Sequence, residues 1–454
     1  MAFKKENFYI ETFGCQMNEF DSERISAILE KQGYLKTENR ENAGLIILNT
    51  CSVRLKAENK LFGHIGNLKV LKEQNPGLVI CIGGCTAQSL KEKLIDTFPY
   101  IDIVFGTGNI ENLPDLVKTR AASTKSICET SGNPEEIKEL IDFKRKFPFK
   151  AFIPVMTGCD NYCSYCIVPY VRGHEKSIKP ATIIDSIKKL TADGVFEVTL
   201  LGQNVNSYGQ SFGHNVEAEG AALKNANSFA KLLNEIAAIQ GIKRIRFMTS
   251  HPKDFTEDII NAVRDNSNVM GHIHLPFQSG SDKILEMMNR KYTSKEYEDL
   301  FYKMKERIPD CSVTTDIIVG FPGEQEEDFN KTLELVRKLK FSRAFTFLYS
   351  SRKGTKAEAF YDPVPIVEKK KWFKQLLDTQ NAISLAENEK MTGKVFEALV
   401  ESESTKKSGR LEGRLENNTI VNFDGPKELT GSFINLEITQ AHPFYLSGKI
   451  AEHK

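Results

Sequence analysis

Three cysteines, Cys159, Cys163 and Cys166, lie within a stretch of eight residues, here called the tight triad. Three thiolates at this density can converge on one metal centre. Zinc ribbons use paired C-x-x-C units, so the uneven spacing argues against structural zinc. An iron–sulfur cubane held by three cysteines leaves one iron open to a small molecule. The tight triad therefore predicts a [4Fe-4S] cluster with an open site, against the alternative of three buried thiols in a loop.

Three further cysteines, Cys15, Cys51 and Cys85, here called the dispersed triad, each directly follow a predicted strand. Parallel strands of an open α/β sheet end at the same edge, where such folds bind ligands. Glycines beside Cys15 and Cys85 allow the backbone to approach a bulky group closely. We therefore expect the three thiols to meet in space as a second site, against the alternative of three independent core cysteines.

The odd total of nine cysteines makes complete disulfide pairing impossible, and the remaining three carry no clear chemistry. Cys81 and Cys311 lie in or beside apolar strands and Cys128 lies in a linker, so we interpret them as buried or incidental thiols. His251 and His274 follow or lie in predicted strands and could reach a ligand, although a hydrogen-bonded structural histidine is the commoner case.

The elements that would position the dispersed triad alternate as strand and helix along the first part of the chain. Apolar strands are predicted at residues 8–13, 45–48, 78–82 and 101–105, with helical periodicity between them. Their spacing of about 35 residues fits βα units and a doubly wound parallel sheet. Residues 120–147 carry no strong strand signal, and we interpret them as a linker.

The alternation resumes after this linker and predicts a second, larger α/β unit. Strands are predicted to start near residues 152, 196, 245, 273, 314 and 345. Six such units favour a central partial (β/α)6 barrel over the closed form with eight units. From about Met391, short alternating strands with glycine turns predict a small all-β barrel of about 60 residues.

Composition narrows the possible classes of protein. The 454 residues are 40% hydrophobic and 27% charged, which is ordinary for a globular protein. Lys+Arg at 61 and Asp+Glu at 60 leave a net charge of +1, so any nucleic-acid site must be a local patch. The chain shows neither an apolar signal region after Met1 nor a run of eighteen apolar residues, so we expect a cytoplasmic protein without a membrane span.

The residues around both triads resemble the methylthiotransferase family of the radical S-adenosylmethionine (SAM) superfamily, over almost the whole chain. The matching stretches are Thr12–Asn18, Asn49–Arg54, Gly84–Gln88, Thr157–Gly173, Leu201–Tyr208, His274–Ser281 and Asp316–Glu324. The C-terminal barrel is similar to a TRAM domain, an OB-like RNA-binding module. The resemblance implies a methylthiotransferase N-terminal domain over residues 6–122, a radical SAM core over 145–384 and a TRAM domain over 387–450.

This resemblance implies two [4Fe-4S] clusters, one on each triad. The cluster on the tight triad would chelate SAM through its open iron and, once reduced, cleave it to a 5′-deoxyadenosyl radical. The dispersed triad would hold the auxiliary cluster, where a second SAM methylates a sulfur. Replacing hydrogen on an unactivated carbon needs such a radical cofactor, because acid–base catalysis cannot break an unactivated C–H bond. The residues expected to contact SAM at the strand ends are Gly202, Gln203, Gln278, Ser279, Gly320 and Glu324.

The implied substrate is a tRNA nucleoside. The stretches Asn204–Tyr208 and Arg246–Pro252 favour the family members that convert N6-isopentenyladenosine beside the anticodon to its 2-methylthio derivative. Partners would be tRNA and an electron donor such as flavodoxin or ferredoxin, and we expect a monomer. Methylthiotransferases for threonylcarbamoyladenosine in tRNA or for a ribosomal protein share both triads and stay open as alternatives. Outside the family, an iron–sulfur electron carrier or an RNA-binding protein with structural clusters stays open.

Some stretches bear on RNA contact rather than on the clusters. Arg172–Glu175 has a histidine where the family pattern leads us to expect a second arginine, and Tyr349–Thr355 lacks the expected prolines. Two basic runs, residues 144–146 and 369–371, could contact phosphates, although such runs are usually just solvated. Residues 391–454 carry 8 Lys and Arg against 9 Asp and Glu. Because this module is not basic, we expect RNA recognition to rely on base contacts and shape.

Overall fold

Three successive units make up the chain in the computed structural model, which describes residues 4–52, 55–123, 125–133, 145–212, 228–404 and 409–451. The helices are α1 (Gln16–Lys31), α2 (Leu55–Gln74), α3 (Cys85–Leu90), α4 (Lys93–Thr97), α5 (Leu113–Ala122), α6 (Val168–Arg172), α7 (Pro180–Ala192), α8 (Ser228–Ala237), α9 (Glu257–Asp265), α10 (Asp282–Met287), α11 (Ser294–Arg307), α12 (Glu326–Leu339) and α13 (Ile366–Glu389). The strands are β1 (Lys4–Thr12), β2 (Leu35–Lys36), β3 (Ala43–Thr50), β4 (Val79–Gly84), β5 (Ile103–Phe105), β6 (Ile127–Glu129), β7 (Lys150–Pro154), β8 (Met156–Thr157), β9 (Lys176–Ser177), β10 (Glu197–Leu201), β11 (Arg244–Phe247), β12 (His272–His274), β13 (Ser312–Val319), β14 (Arg343–Leu348), β15 (Val395–Glu403), β16 (Arg410–Leu415), β17 (Ile420–Asp424), β18 (Phe433–Ala441) and β19 (Leu446–Ile450).

The N-terminal unit is a parallel sheet in the order β2-β1-β3-β4-β5-β6. Every residue of β3 is buried, as expected for a strand that is covered on both faces. One face is covered by apolar residues of α1 and α5, such as Leu29 and Leu113, and the other by residues of α2, such as Ile65. The predicted doubly wound sheet is thereby confirmed.

The sheet has two short edge strands that the sequence pattern did not indicate. β2 has two residues and β6 has three, too few for an alternating pattern to stand out. The interpretation of residues 120–147 as a linker was wrong over Ile127–Glu129, because β6 pairs with β5 and completes the sheet. Residue 124 and residues 134–144 lie outside the described residues.

The central unit has the six predicted strands, arranged as two parallel three-stranded sheets, β7-β10-β11 and β12-β13-β14. A parallel bridge between Ile245 and Val269 joins the two sheets beside β12. Among the described strands, no ladder connects β14 back to β7, so the barrel is open on one side. The partial (β/α)6 barrel is therefore confirmed.

The C-terminal unit is a closed five-stranded barrel in the order β15-β16-β17-β19-β18, which confirms the small OB-like barrel. It lies against the N-terminal ends of the central strands. Arg244 and Arg246 of β11 donate hydrogen bonds to the carbonyl oxygens of Arg414 and Leu415, at 2.9 and 2.8 Å. Lys150 at the start of β7 pairs with Glu401 at 2.7 Å. These contacts cover the end of the partial barrel opposite the strand ends expected to bind SAM.

Helix α13, of 24 residues, runs from the central unit to the C-terminal barrel. Its Trp372 stacks on Phe329 of α12 with ring centroids 5.6 Å apart. Its Gln380 donates a hydrogen bond of 2.9 Å to the carbonyl oxygen of Phe341, just before β14. Within the described residues, no helix combines the length and the apolarity needed to cross a membrane.

Candidate metal centres and cofactor cleft

The tight triad lies in the loop between β8 and α6. Gly158, just before it, has a φ of 75°, and a Cβ built there would lie 1.8 Å from the carbonyl oxygen of His174. The N–H of Cys159 donates to the carbonyl oxygen of Gly173 at 3.1 Å, and the N–H of Cys166 donates to that of Cys163 at 2.9 Å. The loop is therefore folded back on itself and can be formed only with glycine at position 158.

A second segment holds this loop from the side of α10. The Nδ2 atom of Asn289 donates to the carbonyl oxygens of Asn161 and Tyr162, at 3.1 and 3.0 Å. Asn289 itself has a φ of 58°, a left-handed conformation that asparagine tolerates better than most residues. The residue thus fixes the backbone between Cys159 and Cys163.

A buried arginine contacts the tight triad directly. Nη1 of Arg290 lies 3.4 Å from Sγ of Cys163. Nη2 donates to the carbonyl oxygen of Pro276 at 3.1 Å, and Nε lies 3.1 Å from the hydroxyl of Tyr292. A guanidinium in this place stabilises negative charge on the sulfur. Arg290 was not predicted as a site residue, because it lies 124 residues beyond Cys166 in the sequence and nothing there signals the contact.

Burial raises the pKa of two thiols of the tight triad. Desolvation raises the pKa of Cys159 to about 11, and burial likewise raises the pKa of Cys166 above its usual value. The Cys159 and Cys166 thiols therefore hold their protons at neutral pH until a cation displaces them, as cysteine ligands of a metal centre do.

The dispersed triad lies where three neighbouring strands end. Cys15 caps α1 after β1, Cys51 follows β3, and Cys85 begins α3 after β4. A Cβ built on Gly14 would lie 2.2 Å from Cβ of Cys51, so this glycine lets two of the three cysteines approach. Cys51 and Cys85 are buried, whereas Cys15 is exposed. The structure thus brings the predicted residues to one edge of the sheet.

The thiols of the dispersed triad differ in acidity. The hydrogen bond from Cys51, the charge of Arg172 and two backbone N–H groups of α1 outweigh desolvation and lower the pKa of Cys15 to about 6. Burial raises the pKa of Cys85.

Across the described residues, no three His, Cys, Asp or Glu side chains are grouped closely enough to hold a single metal ion.

The six residues expected to contact SAM lie at the C-terminal ends of β10, β12 and β13. Gly202 and Gln203 follow β10, Gln278 and Ser279 follow β12, and Gly320 and Glu324 follow β13. Of these, Gln203, Gln278 and Glu324 each have a buried Oε1 atom without a hydrogen-bond partner among the described residues. A buried polar atom without a partner costs free energy, so these three atoms are candidates for contact with a polar ligand.

Two of these six positions have a mainly structural environment. Ser279 is fully buried and its hydroxyl lies 3.3 Å from that of Thr332 on α12. The hydroxyl also accepts a hydrogen bond of 3.2 Å from the N–H of Ser281. Gly320 is packed against Lys369, whose Nζ donates to the carbonyl oxygen of Gly320 at 2.8 Å. Both residues hold the strand ends in place.

Glu324 is a fully buried carboxyl group in the turn after β13. Its Oε2 atom accepts hydrogen bonds from the N–H groups of Gly320 and Phe321. Burial outweighs these bonds and raises the pKa of Glu324 to about 7. At neutral pH the group can therefore exist in either form, and a cationic ligand would favour the carboxylate.

Three further buried polar residues, Asn206, Ser250 and His251, follow β10 and β11. Asn206 and Ser250 have buried side-chain atoms that lack hydrogen-bond partners in the described part of the chain, and so does Nε2 of His251. Burial, with Arg290 and Lys253 nearby, lowers the pKa of His251 to about 2, so its imidazole is neutral. His251 was predicted to be able to reach a ligand because it follows a strand, whereas the sequence signal for Asn206 and Ser250 was their place in the stretches that resemble the family.

The proposed phosphate contact of Lys369 was wrong. Its side chain is buried, and it forms an ion pair with Asp362 in addition to its bond with Gly320. The first residue of the other basic run, Lys144, lies outside the described residues, and Arg145 pairs with Asp193 at 2.6 Å.

Family models match three parts of the chain. Residues 7–106 match the uncharacterized protein family UPF0004, residues 153–336 match the radical SAM superfamily, and residues 389–451 match the TRAM domain. A solved structure of the radical S-adenosylmethionine methyltransferase TsrM from Kitasatospora setae, with cobalamin and a [4Fe-4S] cluster bound, aligns with a TM-score of 0.55 at 15% identity, covering 78% of this chain and 77% of that chain. This likeness concerns the fold alone.

Curated relatives match the chain from end to end. A tRNA-2-methylthio-N(6)-dimethylallyladenosine synthase from Clostridium botulinum (strain Langeland) is 46% identical over 444 residues, which cover 97% of this chain and 96% of the relative. The synthase of the same name from Clostridium beijerinckii is 46% identical over 452 residues, covering 98% and 96%. The chain therefore belongs to the radical SAM family that includes these synthases.

Proposed function

We propose that this chain converts N6-isopentenyladenosine beside the anticodon of tRNA to its 2-methylthio derivative, using two [4Fe-4S] clusters and two SAM molecules. The observation that carries the proposal is that one short helix, α6, separates the two thiol triads. It begins two residues after Cys166 and ends at Arg172, which pairs with Asp21 beside the dispersed triad. Two thiol sets so close together suit a reaction that needs both at one substrate.

Both triads fit an iron–sulfur group by the chemistry of their donors. Each offers three thiols, the ligands that hold such clusters. When bound, the cluster on the tight triad supplies the electron that cleaves SAM, and the cluster on the dispersed triad supplies the site of sulfur chemistry. The chain itself contributes Gly158 and Asn289, which shape the loop, and Arg290, which stabilises charge on Cys163.

The strand ends of the central unit fit SAM by their buried polar groups. Gln203, Gln278 and Glu324 offer acceptor atoms without partners among the described residues. SAM carries an ammonium group, ribose hydroxyls and an adenine amine, which are the donors that such acceptors need. We infer that these three residues bind SAM, whereas Ser279 and Gly320 keep the strand ends in position.

An exposed aromatic surface on the C-terminal barrel supports RNA as the partner. Phe444 and Tyr445 are 50% and 37% exposed. Tyr445 stacks on His442 with ring centroids 4.3 Å apart, and the guanidinium of Arg343 lies 5.6 Å from the ring of Phe444. Unpaired bases stack on aromatic rings and guanidinium planes, so a nearly neutral module can bind single-stranded RNA.

The remaining partners follow from the proposed reaction. Cleavage of SAM needs an external electron, for which a flavodoxin or ferredoxin is a suitable donor. A tRNA substrate supports a cytoplasmic location, which we propose for this chain. All six thiols come from one chain, which supports a monomer. We propose the domain limits 6–122, 145–384 and 387–450, and we extend the first domain to Glu129 because β6 pairs within its sheet.

Mass analysis of tRNA nucleosides from a deletion strain tests the proposal. We expect the 2-methylthio derivative of N6-isopentenyladenosine to disappear, its precursor to accumulate, and a plasmid copy of this chain to reverse both changes. Loss of the methylthio group from threonylcarbamoyladenosine or from a ribosomal protein would instead identify one of the related activities.

A second assay separates the enzyme from an iron–sulfur electron carrier. The protein loaded with iron and sulfide is reduced with dithionite under argon in the presence of SAM. We expect 5′-deoxyadenosine to form, and variants that lack the tight triad to form none. A loaded protein that leaves SAM intact would favour the carrier.

A further inference from the structure

Helix α6 links the two thiol sites through its side chains as well as its backbone. Ile167, next to Cys166, and Val171 pack on Cys85 of the dispersed triad. The carbonyl oxygen of Val171 accepts a hydrogen bond of 2.8 Å from the hydroxyl of Thr107, which follows β5 of the N-terminal sheet. The segment that follows the tight triad is thus docked on the N-terminal unit.

Arg172, the last residue of α6, lies buried at 5% exposure between the two units. Its Nη2 atom lies 2.7 Å from Oδ2 of Asp21, on the helix that Cys15 caps. Val171, the residue before Arg172, packs on Cys85, so the guanidinium lies beside the dispersed triad. A guanidinium stays protonated at neutral pH, so Arg172 is a buried cation beside the dispersed triad.

Asp21 takes up only part of the hydrogen-bonding capacity of Arg172. Asp21 also lies 3.9 Å from Arg24, which has its own partner in Glu111 at 2.6 Å. A guanidinium has five N–H donors, more than the carboxylate of Asp21 can accept. A buried cation requires nearby negative charge, which deprotonated cysteine ligands provide.

We propose that Arg172 is a positioning residue for the auxiliary cluster. Arg172 belongs to the segment that follows the tight triad, and it donates hydrogen bonds to sulfur at the dispersed triad. This inference rests on the proposed function, because it assigns a cluster to that triad. Hydrogen bonds and positive charge at the sulfur ligands raise the reduction potential of an iron–sulfur cluster. Arg172 therefore makes the auxiliary cluster easier to reduce, and it does so only while the segment after Cys166 is docked.

Arg290 provides a matched control, because it is a buried arginine against the other triad. Two parent proteins are needed. One has alanine at all three positions of the tight triad and keeps the auxiliary site, and the other has alanine at all three positions of the dispersed triad. Arg172→Met and Arg290→Met are then made in both parents, and Arg172→Lys in the first as a variant that keeps the charge paired with Asp21.

The measurements are iron and sulfide content, the midpoint potential from a redox titration followed by electron paramagnetic resonance, and the far-UV circular dichroism of each protein. In the parent with the auxiliary site, Arg172→Met is expected to shift the potential to a more negative value, Arg172→Lys to shift it less, and Arg290→Met to leave it unchanged. In the other parent, Arg290→Met shifts the potential and Arg172→Met does not.

If the parent and both Arg172 variants are folded, hold their cluster and have the same midpoint potential, the proposed role of Arg172 is overturned. The auxiliary site itself would still stand. If Arg172→Met does not fold, an unchanged potential in Arg172→Lys overturns that role equally, and a negative shift supports the proposal. A well-folded parent that binds no iron at the dispersed triad would overturn the auxiliary site itself, and the role of Arg172 with it.

Discussion

Glu324 is a single carboxyl group whose burial has a measurable effect on stability. Its folded-state pKa of about 7 lies above the ordinary value of 4.5. Because the folded protein binds the proton of Glu324 more tightly than the unfolded chain does, the group stabilises the fold fully below pH 4.5. This contribution is lost as the pH rises through 7. The free energy of unfolding below pH 4.5 and that above pH 7 differ through this group by roughly 3 kcal/mol. Glu324→Gln removes the charge, so we expect the variant to gain stability relative to wild type between pH 5 and pH 8, as measured by urea unfolding of the apoprotein. A constant difference across this range would contradict the assignment.

The cysteines of the dispersed triad allow the two halves of the proposed reaction to be separated. Cys15, Cys51 and Cys85 lie at the edge of the N-terminal sheet, whereas the strand ends proposed to bind SAM belong to the central unit. Cys51→Ala is therefore expected to preserve reductive cleavage of SAM and to abolish methylthiolation, measured as 5′-deoxyadenosine and 2-methylthio nucleoside in one reaction. Cys81→Ala, at a buried cysteine of the same sheet, is the control and should keep both products. Methylthio product from Cys51→Ala would remove this residue from the auxiliary site.

The loop between β8 and α6 depends on one glycine. A Cβ at Gly158 would lie 1.8 Å from a backbone oxygen, so Gly158→Ala must displace the loop that carries the tight triad. We expect this variant to lose most of the iron bound by that triad while the far-UV circular dichroism stays close to wild type. Gly194→Ala is a suitable control, because Gly194 also has a positive φ, of 89°, but a Cβ there meets nothing within 4 Å. If both variants lose iron equally, left-handed strain rather than the contact with His174 is the cause.

At the scale of elements, the cysteines could be placed from the sequence because strands carry clear apolar runs. Parallel strands end at a common edge, so following each run to its end located Cys15, Cys51 and Cys85 together. Edge strand β6 could not be found in this way, since three half-buried residues show no period. Helix α6 was equally hidden, because five residues that include Pro169 give too few turns for a helical pattern.

At the scale of the molecule, contacts between units were beyond sequence reasoning. Arg244 and Arg246 look like exposed charges in an alternating strand, yet both are buried where the C-terminal barrel covers the central strands. Lys369 belonged to a run of three lysines and is nevertheless inside the protein. The two arginines are buried by partners more than a hundred residues away in the sequence, and Lys369 is buried in an ion pair with a nearby residue. Neither kind of contact leaves a periodic pattern in the sequence.

The junction between the C-terminal barrel and the central unit therefore offers the test of how the units depend on each other. Glu401 of β15 is bound by Arg414 of β16 at 2.9 Å and by Lys150 of β7 at 2.7 Å. Despite desolvation, these cations lower the pKa of Glu401 to about 2. Its stabilising contribution is therefore present above pH 4.5 and is lost as the pH falls toward 2.

Glu401→Gln leaves two cations at this junction without their carboxylate, and breaking a buried ion pair costs about 3 to 5 kcal/mol. We expect such a loss at pH 7 in urea unfolding, a smaller loss below pH 4, and faster proteolysis between α13 and β15. Glu437→Gln is the matched control, because Glu437 forms an exposed pair with Lys449 on the same barrel and is expected to change stability by less than about 1 kcal/mol. If Glu401→Gln unfolds like this control, the ion pair does not hold the two units together, and the arginines of β11 must dock the barrel through their bonds to its backbone.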